Sequence, residues 1–251
     1  MLPQALNDLT FVERFYPLAE VDSTNRYAKG IKGEPSRGLF IIQADRQTSG
    51  RGRRDNVFFS DHSGGLWVSI MAPVKDLLNH FEHNRAIALS ICETLKENFP
   101  ADNVTIKWPN DIYWKDRKIA GILLETIPSK QTCLIIGFGV NINIAHDEFP
   151  YNLQETATSV FIETGIHSSL SSLLVQILKK YNQYISLDQA HVHKKYLAYL
   201  YNLGYLAMVD GTEGVFRGVE SDGRIVLDTI DGLKYLCSGT LRFKRGPDEK
   251  R

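Results

Sequence analysis

What this 251-residue chain has little of narrows the choices before any motif is read. No apolar run approaches membrane-spanning length, and the N-terminal stretch, with Asp8, Glu13 and Glu20 among its apolar residues, is no secretion signal. An excess of one charge is missing too: Lys+Arg and Asp+Glu are equal at 29 each. No overall field therefore draws the chain to nucleic acid or to a membrane surface, and any basic function must be local. Cysteine is scarce. Cys92, Cys133 and Cys237 are odd in number, far apart and set in apolar segments, which predicts reduced core thiols in a cytoplasmic protein rather than disulfides or a zinc site. His80 and His83 share helical spacing, but no Cys or third His stands at ligand spacing, so a solvated helix face is expected there.

What is present suits a globular protein: 43% hydrophobic residues fill a core for one large domain, or a large one plus a small one. Asp22-Ser23-Thr24-Asn25 stacks helix-capping side chains before a short helix that ends near Gly30 to Gly33. Gly38 to Gln43 reads as a buried strand and Leu66 to Met71 as another; between them Gln47 to Gly65 has no periodicity and reads as a long loop with a functional role. Ile87, Ile91, Leu95 and Phe99 mark a helix from about His80, and strands follow at Val104 to Lys107, Ile112 to Trp114, Lys118 to Thr126 and Cys133 to Val140. Helices come next, around Leu170 to Tyr181 and Ala190 to Tyr201. After Gly204 the turn signals Asp210-Gly211, Ser221-Asp222-Gly223, Asp231-Gly232 and Ser238-Gly239 punctuate short apolar runs, the pattern of a hairpin meander closing into a small barrel. That barrel reads equally as an interaction module or as a lid on the larger domain, and the polar tail from Lys244 to Arg251 as frayed.

Three segments carry chemistry. Lys107-Trp108-Pro109-Asn110-Asp111, followed by Lys118-Ile119-Ala120-Gly121-Ile122-Leu123, reads as strand, rigid corner, strand and tight return; it collects a carboxylate, an amide and two lysines around one apolar hairpin. Gly50-Arg51-Gly52-Arg53-Arg54 offers close backbone approach plus fixed positive charge, a candidate anion clamp whose alternative is a solvated basic loop or a weak RNA-binding patch. It is no phosphate-binding P-loop, because the chain has no Gly-Lys dipeptide and an extended run follows. In Leu134 to Asn141, Leu134, Ile136, Phe138 and Val140 form an apolar face, while Ile135, Gly137, Gly139 and Asn141 lie on one nearly stripped of side chains. Either a flat ligand or a closely packed helix lies on that bare face.

These segments, with Ser23-Thr24-Asn25, Gln47-Thr48-Ser49 ahead of the arginine loop and Gly137-Phe138-Gly139-Val140-Asn141-Ile142-Asn143, stand in the order and spacing of the biotin protein ligases. The resemblance covers about residues 20 to 145, and the C-terminal meander resembles that family's SH3-like domain. It implies an α+β fold, a class II synthetase-like mixed sheet flanked by helices over residues 1–202, and a small SH3-like barrel over 203–251. It implies two half-reactions: biotin and MgATP give biotinyl-5′-adenylate and pyrophosphate, then a lysine of a biotin carboxyl carrier domain takes the biotinyl group.

By the same resemblance Lys118, Arg51, Arg53 and Asp111 serve the chemistry. Ser23, Thr24, Gln47, Gly50, Arg51, Lys118, Gly121, Leu123, Gly137 and Gly139 hold biotin, while Arg53, Arg54, Lys107, Asn110 and Asn141 hold ATP, with Asn141 on adenine. Asp111 serves as a Mg²⁺ contact or as a base for the acceptor amine. The family usually continues after Arg54 with glycine and an aromatic, whereas here Asp55-Asn56-Val57-Phe58 follows; the Asp55 carboxylate is expected to weaken loop closure over an anionic adenylate. About twenty residues precede the capping cluster, too few for the DNA-binding domain of some relatives, so a ligase without DNA binding is expected, as a monomer or homodimer. The alternatives are a lipoate or octanoate ligase of the same superfamily and a non-catalytic biotin-binding regulator.

Overall fold

The computed structural model describes residues 8–127 and 130–244, without the side chains of Asp55, Leu78, Lys130, Gln131 and Thr132. The expectation for the Asp55 carboxylate lies outside the described residues, as does the tail beyond Lys244. Seven strands form the main sheet: β1 (Val12–Val21), β2 (Leu39–Gln47), β3 (Gly65–Pro73), β4 (Val104–Lys107), β5 (Asp111–Trp114), β6 (Arg117–Ile127) and β7 (Lys130–Asn141), in the order β1-β2-β3-β7-β6-β5-β4. β1 and β2 run parallel and every other pair antiparallel, so the sheet is mixed, as expected. The helices are α1 (Thr24–Gly30), α2 (His80–Asn98), α3 (Val160–Thr164), α4 (Leu170–Ser186) and α5 (Gln189–Ala198).

β2 and β3 read as near-continuous apolar runs because both faces of the central sheet are covered. One face carries Ile41, Val68, Ile70, Ile136 and Phe138 against the stripes Ile87, Ile91, Leu95 of α2 and Leu174, Ile177, Leu178 of α4. The other face is divided. Phe40, Ile42, Met71 and Ile135 pack under Ala28 of α1, while Trp67 joins Ile144, Phe149 and Ala157 at the opposite end. Between those clusters the register sets Ser69 beside Gly137 and Leu123, and in the next row Trp67 beside Gly139, Gly121 and Asp111. Cross-strand partners share a face, so this stretch is low and polar where its surroundings are tall and apolar.

The segment read as an irregular loop is more ordered than its sequence suggests. β2 continues to Gln47, and residues 50–58 fold back on themselves: the Phe58 N–H donates to Gly50 O at 3.0 Å, the Gly52 N–H donates to Asn56 O at 2.7 Å, and a 3₁₀ turn at Arg53–Asp55 makes the tip. β1 was not expected at all; its residues alternate irregularly between half-buried and exposed because it lies at the sheet edge.

The C-terminal strands β8 (Leu206–Val209), β9 (Thr212–Val219), β10 (Ile225–Thr229), β11 (Gly232–Leu236) and β12 (Leu241–Phe243) form an antiparallel sheet ordered β11-β10-β9-β8-β12. Asp210, Gly211, Gly223, Gly232 and Gly239 have positive φ, which explains the turn signals in the sequence. This sheet has no separate core: Val209, Phe216, Leu227 and Leu241 belong to the same buried cluster as Phe81 and Trp108. Trp108 donates its Nε1–H to Gly223 O at 2.9 Å, and Arg85, 1% exposed on α2, donates to Ser221 O at 2.7 Å.

Two expectations need correction. Cys92 and Cys133 are buried, but Cys237 is exposed, because β11 turns its apolar run toward the surface. His83 is half-buried rather than on a solvated face; its Nδ1 lies 2.7 Å from the Tyr181 hydroxyl, and burial lowers its pKa to about 4. Among the described residues no helix is long and apolar enough to cross a membrane.

Candidate functional site

The low stretch of sheet floors an open cleft. Its closed end is polar. The Ser23-Thr24-Asn25 hydroxyls and amide were expected to cap α1, yet Ser23 makes no side-chain cap bond, and the Thr24 and Asn25 side chains bond to sheet residues instead. The Thr24 N–H and hydroxyl both donate to Gln47 Oε1, at 2.8 and 3.0 Å. A backbone N–H can only donate, so the Gln47 carbonyl is committed to Thr24 and its NH₂ group is what faces a ligand. Behind Thr24 the fully buried Ser69 sets its hydroxyl 2.7 Å from Thr24 Oγ1 and 2.5 Å from Asn25 Oδ1. Asn25 in turn donates to Glu125 Oε2 at 2.8 Å, and Glu125 also pairs with Lys29 at 2.6 Å and Arg51 at 3.4 Å. Burial alone would raise the Glu125 pKa, but the hydrogen bonds from Lys29 and Asn25 and the charge of Arg51 outweigh it and hold the carboxyl below its ordinary value.

The bare face of β7 accommodates a helix residue and a loop side chain. A Cβ on Gly137 would stand 2.3 Å from Asn25 Oδ1, so α1 packs there. A Cβ on Gly139 or Gly121 would stand 2.5 or 2.8 Å from the Phe58 ring, which the arginine loop lays over both glycines. Glycine is required at these positions by close approach.

The other end of the cleft is cationic. Lys118 Nζ lies 2.6 Å from Asp111 Oδ1 across the β5–β6 pair, and 5.5 Å from the centre of the Phe58 ring. Lys107 donates to the Tyr113 hydroxyl at 3.2 Å; its pKa falls below the ordinary lysine value through burial, with the charges of Lys118 and Arg242 adding to the effect against Asp111. Burial likewise lowers Arg53, whose guanidinium donates to Gly239 O at 3.4 Å, and the neighbouring Arg54 charge lowers it further. Such a cluster of partly desolvated cations around one carboxylate attracts a polyanion. Two hydrogen bonds fix the corner: Asn84 donates to Pro109 O at 3.0 Å, and Asn110 donates to Ile122 O at 2.6 Å.

Ser23, Thr24, Gln47, Arg51, Arg53, Arg54, Lys107, Asn110, Asp111, Lys118, Gly121, Leu123, Gly137 and Gly139 all line this cleft. Gly50 and Asn141 do not. Gly50 is needed by the loop itself, since a Cβ there would meet Ser60 Oγ at 2.0 Å. Asn141 donates its amide to Thr158 O at 2.9 Å and keeps a buried Oδ1 without a partner among the described residues. The Arg54 guanidinium reaches Asp210 of the C-terminal sheet, and the Asn110 amide is spent on the β6 backbone. Sequence reading did not single out Ser69, Glu125, Phe58, Arg242 or the Gly239-Thr240-Leu241 segment of the cleft wall. Only the Ser238-Gly239 turn carried any signal.

Residues 18–141 match the biotin/lipoate A/B protein ligase family. The biotin–[acetyl-CoA-carboxylase] ligase of Paracoccus denitrificans is 28% identical over 239 residues, covering 90% of this chain and 99% of that protein. The bifunctional ligase/repressor BirA of Escherichia coli K12 is 28% identical over 236 residues, 90% of this chain and 73% of that protein. Among solved structures, the biotin protein ligase of Aquifex aeolicus in complex with biotin and ATP superposes with a TM-score of 0.81 at 27% identity, covering 93% of this chain and all of that one. With its matched segment running from the end of β1 to the end of β7, and so through the whole floor of the cleft, the chain belongs to the biotin/lipoate A/B protein ligase family.

Proposed function

We propose that this chain is a biotin protein ligase, which joins biotin to ATP as biotinyl-5′-adenylate and passes the biotinyl group to a lysine of a carboxylase's biotin carrier domain. The carrying observation is one glycine-floored cleft with a hydrogen-bonding closed end and a cationic open end. The closed end suits a ureido ring: the Gln47 NH₂ and the Ser23 and Thr24 hydroxyls offer polar partners beside Leu123. The cationic end suits the first step. The biotin carboxylate attacks the α-phosphorus of ATP, a P–O bond forms, and the bond to pyrophosphate breaks. Two anions must meet there, so the barrier falls when Lys118 sits between them and Arg51 and Arg53 neutralise the phosphates.

In the second step a neutral lysine amine attacks the acyl carbon and AMP leaves; Asp111, already holding Lys118, is the carboxylate nearest to receive the amine proton. Asn141 is buried outside the cleft with its amide donated to Thr158 O, so the adenine contact that the resemblance implies for it forms no part of this reading. Among the described residues no three His, Cys, Asp or Glu gather as a metal cage; Mg²⁺ would arrive with ATP, and Asp111 would be its protein contact where it does not serve as the base. The same pair of distant, buried thiols, Cys92 and Cys133, fits a reducing cytoplasm.

A lipoate ligase is disfavoured by the closed end, since the dithiolane ring offers no acceptor to the Gln47 NH₂ that faces the cleft. Incubation with ATP, a carrier domain and either vitamin tests this: biotin-dependent labelling is expected, and labelling by lipoate alone would overturn it.

A further inference from the structure

We propose that Asp210 and Arg54 form a latch between the C-terminal sheet and the arginine loop, and that this latch sets how long the activated intermediate is held. The proposal rests on the ligase reading above. The Arg54 fork meets the carboxylate end-on, with Nη2 2.6 Å from Oδ2 and Nη1 3.4 Å from Oδ1 of Asp210. Asp210 is itself pinned, because its Oδ1 accepts the Thr240 N–H at 3.0 Å, while Arg54 Nη1 reaches Thr240 Oγ1 at 3.3 Å. One residue earlier Arg53 donates to Gly239 O at 3.4 Å. The loop tip therefore touches both the β8–β9 turn and the segment entering β12, which β8 and β12 hold side by side through the Val209–Leu241 pair.

Backbone geometry points the same way. Asp210 has φ 44° as the first residue of an Asp-Gly hairpin turn, where a left-handed residue is ordinary. Arg54 has φ 54° with no glycine, asparagine or hairpin turn of its own to favour it. That conformation turns the Arg54 side chain out to the C-terminal sheet while the adjacent Arg53 stays in the cleft wall, so a tertiary contact holds the strained residue. Gly239, Thr240 and Leu241 line the same cleft, which makes its lid composite: an arginine loop from one end of the chain and a sheet segment from the other. Arg54 and Asp210 are each nearly half exposed, so the pair matters little for folding. An opening equilibrium is more sensitive, because the closed loop alone makes the contact.

The test compares the wild type with Asp210→Asn, Arg54→Gln and the double variant. Asn at 210 tolerates the left-handed backbone and keeps an acceptor for Thr240. In single turnover each single variant is expected to release biotinyl-5′-adenylate about fivefold faster, with the double variant no faster than the faster single one and thermal stability unchanged. Added salt should speed release from the wild type toward the variants' rate and leave theirs nearly flat. Unchanged release, or independent effects that multiply in the double variant, would overturn the latch. Hydrogen exchange of the amides of residues 51–57 without substrate keeps the latch separable from the ligase reading. Faster exchange in Asp210→Asn supports the latch even if the wild type makes no adenylate, and equal exchange overturns it.

Discussion

At the scale of single residues, the proposed chemistry rests on Lys118, set 2.6 Å from Asp111. Replacing Lys118 by Gln is expected to lower biotin-dependent pyrophosphate release by more than tenfold, over about 1.4 kcal/mol of transition-state stabilisation, in a protein that still folds. Normal release in that variant would remove Lys118 from the mechanism. Ser69 acts differently, since it touches Thr24 and Asn25 rather than the open cleft. Ser69→Ala leaves those two polar groups less fixed, and the expected result is a KM for biotin raised about tenfold with the KM for ATP unmoved, a split that steady-state kinetics reads directly. Lys118, Asp111 and the glycines were legible in sequence because their spacing sits in compact motifs. Ser69 was not, because one serine inside an apolar strand becomes functional only through the register that sets it beside Gly137.

At the scale of elements, Glu125 ties α1, β6 and the arginine loop together through Asn25, Lys29 and Arg51. Its folded pKa lies below the ordinary 4.5, so its contribution to stability is present above that value and is lost as pH falls through the folded one. Glu125→Gln should therefore lower the melting temperature near neutral pH and converge with the wild type as pH falls through the lowered folded value, which a pH series of thermal melts checks. His83 works in the opposite direction from ordinary surface histidines: with its pKa lowered to about 4, the folded state resists a proton that the unfolded chain takes near 6.5, so stability drops between those values as pH falls. His83→Gln should flatten the melting curve across that interval. Most strands and helices were legible from period alone, because α2, α4 and the central strands bury one clear face. β1 escaped notice as an edge strand with no alternation, and the 50–58 hairpin escaped because its backbone pairing leaves no periodic mark on side chains. The cap signal at Ser23 found the right helix start for a reason the structure does not use, since those hydroxyls serve the cleft.

At the scale of the whole molecule, the C-terminal sheet is joined to the ligase fold by a shared core and by buried polar contacts, Trp108 to Gly223 and Arg85 to Ser221. Ending the chain near Leu203 would uncover Trp108, Phe81 and Arg85, all buried here. The truncated protein is therefore expected to lose cooperative unfolding, and a sharp thermal transition with intact biotin binding would show that the larger domain stands alone. A finer probe is Trp108→Phe, which strands the Gly223 carbonyl and should cost about 1–3 kcal/mol while lowering the rate of the first half-reaction, because the same residue sets the Asn110-Asp111 corner. Composition allowed one large domain or a large one plus a small one, and the turn signals after Gly204 marked a small barrel, but turn spacing says nothing about which surfaces two sheets share. The central claim, that one cleft activates biotin with ATP, is tested most directly by mixing the purified chain with radiolabelled ATP and biotin and measuring pyrophosphate. The account predicts release that requires biotin and yields biotinyl-5′-adenylate; release that is indifferent to biotin, or that follows lipoate instead, would contradict it.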